Sequence, residues 1–288
     1  MLTPATRDTI LSHFASLDFW EGHWPRAAVT AAGSAAVGWE DEFSDTDVLV
    51  FVPQEEWEAI YERHWQAVTE HRVSVMNPRA REHHEFPYSY IPGTNAHYML
   101  YVFEEAEEKL ARYDDVAMWV HGNSIVLHDP SGRYARLRAA TSYPEEVWRA
   151  KRRELYIGMA NAGGAASNPL RRGDRAAVML TLTDAVMHAL RLCCLLERKP
   201  FPYEKWLLRA AAETEPGRAV LPLIEELLEE LRRPEIRRVE VTTRSDHRSA
   251  DLEEYPLYSL WRKVRARLEE WAKPPSPQMN PPEAGKHG

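Results

Sequence analysis

Cysteine is scarce in this chain. There are two in 288 residues, and the two, Cys193 and Cys194, are neighbours. Adjacent residues rarely meet disulfide geometry, and no Cys spacing suited to a metal is present. A disulfide-stapled scaffold and a zinc-finger type of fold are therefore excluded, and both thiols are expected to be buried in a reducing cytoplasm. A clean hydrophobic run is missing as well. The most apolar stretch, Ala176 to Leu196, is broken by Asp184, His188 and Arg191. A membrane span tolerates that poorly, and a buried bundle helix is the expectation. Basic charge is also in deficit, with 36 Lys and Arg against 44 Asp and Glu, a net charge of -8. Binding to long nucleic acid needs clustered cations to displace phosphate counterions, so no such partner is expected. The N-terminus has no basic segment leading into an apolar one, so no secretion signal is expected and a cytoplasmic location is.

What is present suits a globular protein. Hydrophobic residues make up 44% and charged residues 28%, enough apolar material for one large domain or two ordinary ones. Thr6 to Leu17 has helical spacing. A short apolar run, Ala27 to Ala31, reads as a strand ending at Gly33, and residues 37–44 read as an acidic loop. The run from Asp45 to Val52 is rich in β-formers and is stopped by Pro53. Helical spacing returns over Glu55–His71, and Arg72–Met76 reads as a strand. Residues 77–95 form a polar excursion with room for a small hairpin. His97–Phe103 reads as a strand, Glu104–Tyr113 as a helix and Ile125–His128 as a short strand closed by an Asp-Pro-Ser-Gly turn.

From Tyr143 the pattern changes to long amphipathic helices, placed at Glu145–Ala162, Asp174–Glu197, Tyr203–Thr214, Leu221–Arg232 and Leu252–Trp271. The sequence thus predicts an α+β protein: a mixed sheet with flanking helices over residues 1–140, then a helical bundle over 141–273. A Pro-rich tail over 274–288 is expected to be disordered.

One constellation carries chemistry. Gly33-Ser34 is followed by ten residues and then Asp45-Thr46-Asp47. On an extended strand, residues i and i+2 share a face, so the two carboxylates project together. Two hard oxygen ligands side by side suit Mg²⁺, an ion usually shared with substrate phosphates. Gly33 allows close approach of the backbone to a phosphate, and Ser34 supplies a hydrogen-bond donor. Either half alone is weak, and the ordered combination of strand, Gly-Ser, acidic spacer, Asp-x-Asp and apolar strand is what gives it force.

The run from Gly33 through Asp45-x-Asp47 to Val50 resembles the signature of the DNA polymerase beta-type nucleotidyltransferase superfamily. Within it, the minimal and the aminoglycoside and lincosamide nucleotidyltransferases of bacteria are nearer. The resemblance covers residues 27–52 closely and the rest loosely. It implies Mg²⁺ held by Asp45 and Asp47, and Gly33 and Ser34 in contact with the phosphates of ATP or another nucleoside triphosphate. It also implies a C-terminal helical region over the nucleotide cleft, with Lys205 in the Pro202–Leu207 segment reaching the triphosphate. A solvated surface lysine is the alternative reading of Lys205.

The chain departs from that pattern in one respect. Active members usually carry a third carboxylate on a later strand, and the matching strand, His97–Phe103, has none. Glu85 and Glu104 flank it, and His97 is either a base or a strand residue with a hydrogen-bond partner. Three functions stay open. The first is nucleotidyl transfer, most simply of AMP, to a hydroxyl of a small-molecule acceptor. The second is nucleotide binding with little turnover, and the third is a toxin–antitoxin-type transferase acting on a macromolecule. Asp184, His188 and Arg191 line an acceptor pocket or form an internal salt bridge. His83-His84 lacks a third ligand, Trp39 either packs or stacks on a base, and Arg232, Arg233, Arg237 and Arg238 form a basic cluster.

Overall fold

The computed structural model describes residues 2–236, 252 and 255–272. The proposed tail at 274–288, and Arg237 and Arg238 of the basic cluster, lie outside the described residues. The chain divides into two compact units. One comprises the residues up to Pro144 together with Pro200–Pro202, and the other comprises Glu145–Lys199 and the chain from Tyr203 onward.

The first unit is built on a five-stranded mixed sheet. Its elements are α1 (Pro4–Ser16), β1 (Ala28–Ala32), α2 (Gly33–Val37), β2 (Thr46–Val52), α3 (Gln54–Thr69), β3 (Ser89–Tyr90), β4 (Ala96–Val102), α4 (Phe103–Ala111), α5 (Asp115–Asn123), β5 (Ile125–His128) and α6 (Arg133–Ala139). The strand order is β3-β4-β2-β1-β5. β1 and β2 pair antiparallel, and β2 and β4 pair parallel. Alternation along β2 separates the two faces. Val48, Val50 and Val52 enter a core with Ile10 and Phe14 of α1, Ile60 and Trp65 of α3, and Tyr98 and Leu100 of β4. Phe51 on the opposite face meets Phe103, Leu110, Met118 and Tyr134, contributed by α4, α5 and α6.

The second unit is helical: α7 (Glu145–Ala165), α8 (Ser167–Arg172), α9 (Arg175–Leu196), α10 (Glu204–Ala212), α11 (Glu215–Arg232) and α12 (Pro256–Ala272). The fold is therefore α+β, with a mixed sheet and flanking helices followed by helices. By length and composition α9 could cross a membrane. Here it packs among α7, α10, α11 and α12 and buries Val178, Leu182, Ala189, Cys193 and Cys194. Burial pushes the Cys193 thiol pKa well up, as expected of an inert core cysteine.

Several expectations need correction. Residues 72–76 do not form a strand, only an isolated bridge between Val75 and Ser89. His71 takes a left-handed turn and the amides of Arg72 and Val73 bond back to Ala67. Pro87 and Pro78, which lack an N–H, both lie beyond the 76–88 end of the bridge and stop it lengthening that way, while the bond from Val73 back to Ala67 holds the other end. α11 begins six residues before the expected Leu221. Thr214 caps it by accepting from the Gly217 amide at 3.0 Å, and Pro216 sits in the first turn where no N–H is needed. Gly33, expected at the end of a strand, and Val37, expected at the start of a loop, are instead the two ends of the short helix α2. The short helices α5, α6 and α8 have no counterpart in the sequence reading.

Candidate metal centre

The geometry follows from the sheet register. Asp47 pairs with Ala32 on the antiparallel side and with His97 on the parallel side. Cross-strand partners share a face, so the His97 imidazole projects beside the Asp47 carboxylate. Asp45 lies one residue before β2, and its carboxylate reaches the same ring. His97 Nε2 is 3.0 Å from Asp47 Oδ1, and His97 Nδ1 is 3.3 Å from Asp45 Oδ2. Donor atoms of all three residues lie within 4.8 Å of one another. Side-chain exposures are 9% for His97, 34% for Asp47 and 54% for Asp45, so the imidazole forms the floor and the carboxylates the open rim. The hydrogen bond to Asp47 raises the His97 pKa above its ordinary value; burial opposes the shift, and the charges of Asp47 and Asp45 add to it.

The loop before β2 is fixed by hydrogen bonds. The Asp41 carboxylate accepts from the Phe43 amide at 3.0 Å and from the Ser44 hydroxyl at 2.8 Å. Asn95 donates its side-chain amide to the Ser44 carbonyl at 2.9 Å. Together they set where Asp45 emerges. Asn95 was missed in the sequence reading. Its only sequence signal is its place just ahead of β4.

Gly33 lies directly against Asp47. It has φ +66°, and a Cβ at this position would overlap the Asp47 carboxylate. The missing side chain therefore makes room for the Asp47 carboxylate itself. Ser34 is buried in the first turn of α2, and its carbonyl accepts from the Trp39 amide at 2.9 Å. Trp39 is buried and packs on Trp119 with ring centroids 5.7 Å apart, which makes it a core residue. Lys205 is on α10 in the second unit. It is exposed, with its ammonium 5.3 Å from the centroid of the Trp206 ring.

The other candidates are otherwise engaged. Glu104 follows the far end of β4, roughly 17 Å down the strand from His97 at about 3.4 Å per residue. There it accepts from the Gln54 amide at 3.0 Å and from Arg133 at 2.9 Å. Glu85 does not belong to the cluster. It lines a cavity of about 580 Å³ with Trp57, Glu58, Tyr88, Met99 and Tyr101. Tyr88 in its wall stands with its ring 5.2 Å from that of His97, while the cavity runs along β4 to Val102 and Glu105 and has none of Asp45, Asp47 and His97 in its lining. His188 pairs with Asp184 within α9, and Arg191 bonds Glu204 at 2.7 Å. His84 contacts Glu58 at 3.2 Å. Arg232 and Arg233 pair with Glu229 and Glu230 one turn back.

Two carboxylates and an imidazole converging on one point, two of them open to solvent, form a donor set that fits a divalent cation. Among the described residues it is the one such group of three.

Comparison with known proteins adds little beyond this geometry. A family model described as "Domain of unknown function (DUF4037)" matches residues 111–207, a segment that contains Lys205 and none of Asp45, Asp47 and His97. No curated protein matches the chain. A nucleotidyltransferase-like protein of Exiguobacterium sibiricum 255-15 is similar in structure, at 14% identity and a TM-score of 0.41, over 93% of this chain and 73% of that one.

Proposed function

We propose that the first unit is a metal-dependent nucleotidyltransferase centre that moves a nucleoside monophosphate, AMP from ATP in the simplest case, to the hydroxyl of a small molecule. The observation that carries this reading is the convergence of Asp45, Asp47 and His97 beside the Gly33-Ser34 turn. A cation held there would neutralise the α-phosphate and align the attacking oxygen. The acceptor oxygen forms a bond to the α-phosphorus, the bond to the bridging oxygen breaks, pyrophosphate departs and the hydroxyl proton is lost to water. The open carboxylates Asp45 and Asp47 give a phosphate-bound ion access, while buried His97 holds them in register. The neighbouring cavity, with Trp57, Tyr88 and Tyr101 in its wall, has the size of a small-molecule site and supplies room for an acceptor.

One observation favours a second reading. His97 contacts both carboxylates, so its imidazolium can itself serve as their counter-charge. A protein using it that way would bind a nucleotide without turning it over.

The test is pyrophosphate release from each of the four nucleoside triphosphates, with divalent metal and a panel of hydroxyl-bearing acceptors. Release that Asp47→Asn abolishes supports transfer. Nucleotide binding that persists without divalent metal, with no release under any acceptor, supports the second reading, and release unchanged by Asp47→Asn overturns the assignment of the site.

A further inference from the structure

We infer that the third donor of this centre is a ring nitrogen of His97, and that the centre consequently selects a nitrogen-accepting first-row divalent ion such as Mn²⁺ over Mg²⁺. The inference rests on the metal-binding part of the proposal above and is independent of whether a nucleotide is transferred.

Three observations converge on it. The first is position. The β2–β4 register places His97 opposite Asp47, and its two ring nitrogens lie 3.0 and 3.3 Å from the two carboxylates. An ion seated between Asp45 and Asp47 therefore meets the ring. The second is confinement. His97 is on a strand paired with β2 on one side and with Tyr90 of β3 on the other, its side chain is 9% exposed, and the Tyr88 ring packs against it. Burial and these neighbours hold the ring at the centre. The third is the composition of the cluster. Among the described residues no third carboxylate joins it, and Glu104 and Glu85 are placed elsewhere.

The chemistry then decides between ions. Mg²⁺ demands oxygen donors in near-ideal octahedral geometry and gives up its water reluctantly, so an imidazole in place of a water gains it little. Mn²⁺ accepts carboxylates and phosphates as readily and takes an imidazole as well. Co²⁺ and Zn²⁺ bind nitrogen more strongly still, following the Irving–Williams order. With histidine as its third donor, the site keeps the charge of two carboxylates, and the ring tunes which ion it holds.

Electron paramagnetic resonance of Mn²⁺ on the full-length protein, without nucleotide, tests this directly. Loss of the free Mn²⁺ signal gives affinity, added Mg²⁺ gives selectivity, and pulsed measurement reports ¹⁴N coupled to the bound ion. The expected result is bound Mn²⁺ with imidazole ¹⁴N modulation, displaced by Mg²⁺ only at an excess of roughly 10–100-fold or more, the range that loss of even an outer-shell partner costs a metal site. His97→Asp should keep Mn²⁺ binding, lose the ¹⁴N modulation and let Mg²⁺ compete at comparable concentration. If that variant does not fold, the modulation and competition in the parent still decide. Bound Mn²⁺ without ¹⁴N modulation, Mg²⁺ competing equally in the parent, or no binding of Mn²⁺, Co²⁺ or Zn²⁺ would overturn the inference. Nitrogen-coupled Mn²⁺ in a protein that releases no pyrophosphate would uphold it and count against transfer alone.

Discussion

Gly33→Ala offers the sharpest perturbation of the centre because Gly38 provides an internal control. Both glycines have positive φ, +66° and +71°. An alanine at either position meets the same left-handed backbone cost, roughly 1–2 kcal/mol. They differ in what the new methyl touches. At Gly38 it meets nothing within 4 Å, whereas at Gly33 it overlaps the Asp47 carboxylate. Gly38→Ala should therefore lower stability by about 1–2 kcal/mol, or roughly 2–4 °C per kcal/mol for a unit of this size, and leave metal affinity unchanged. Gly33→Ala should lose at least as much stability, with about 1–3 kcal/mol more from overpacking. It should also turn the Asp47 carboxylate off the centre, weakening metal binding by at least roughly 10–100-fold. Thermal unfolding and metal titration by calorimetry on the two variants read both effects. Equal metal affinities for Gly33→Ala and Gly38→Ala would refute the claim that Gly33 exists to seat Asp47.

Three further predictions follow from packing and charge. His64 and His121 are buried in the first unit, and burial pushes their pKa values down to about 3 and about 4. Each is neutral in the fold and protonated below its unfolded value of 6.5, so stability is full above about pH 6.5 and is lost as pH falls, by up to about 1.4 kcal/mol per pH unit for each histidine. Denaturant melts between pH 6.5 and 5 check this, and His64→Gln should flatten the slope. His97 has the opposite sign. Its raised pKa means that, without metal, its pairing with Asp47 and Asp45 stabilises the protein fully below pH 6.5 and fades as pH climbs through the folded value. Because the bound ion must displace that proton, metal affinity measured by calorimetry should rise over the same window; an affinity flat from pH 6 to 8 would count against His97 as a ligand. In the second unit, a methyl on Gly163 of α7 would overlap the Trp261 indole of α12. Gly163→Ala should cost about 1–3 kcal/mol, and adding Trp261→Leu should recover part of the loss in a double-mutant cycle, which simple additivity would contradict.

How far the sequence could be read depended on the distance over which each feature is decided. β1, the Gly33 turn and β2 form one local unit, and the run of β-formers over Thr46–Val52, stopped by Pro53, marks the strand without help from the rest of the chain. The long helices of the second unit are legible because their apolar spacing repeats over many turns. His97 is different. Its place beside Asp47 comes from parallel pairing of strands fifty residues apart, and nothing near His97 in the sequence announces that register. The close fit of Gly33 against Asp47 is likewise a tertiary fact, though the residue itself stands out. Tertiary context also overrode local chemistry: the β-formers at 72–76 are held to one bridge by the backbone bonds to Ala67 at one end and by Pro78 and Pro87 at the other. The short helices α5, α6 and α8 have too few turns for a period to show.

Calorimetric titration of ATP in the presence of Mn²⁺ or Mg²⁺ and in the presence of a chelator, on the parent and on the Asp45→Asn/Asp47→Asn double variant, tests the account most directly. Binding that needs the metal and vanishes in the double variant is expected. Binding that survives the double substitution, or no binding of any nucleoside triphosphate by the parent with metal present, would contradict it.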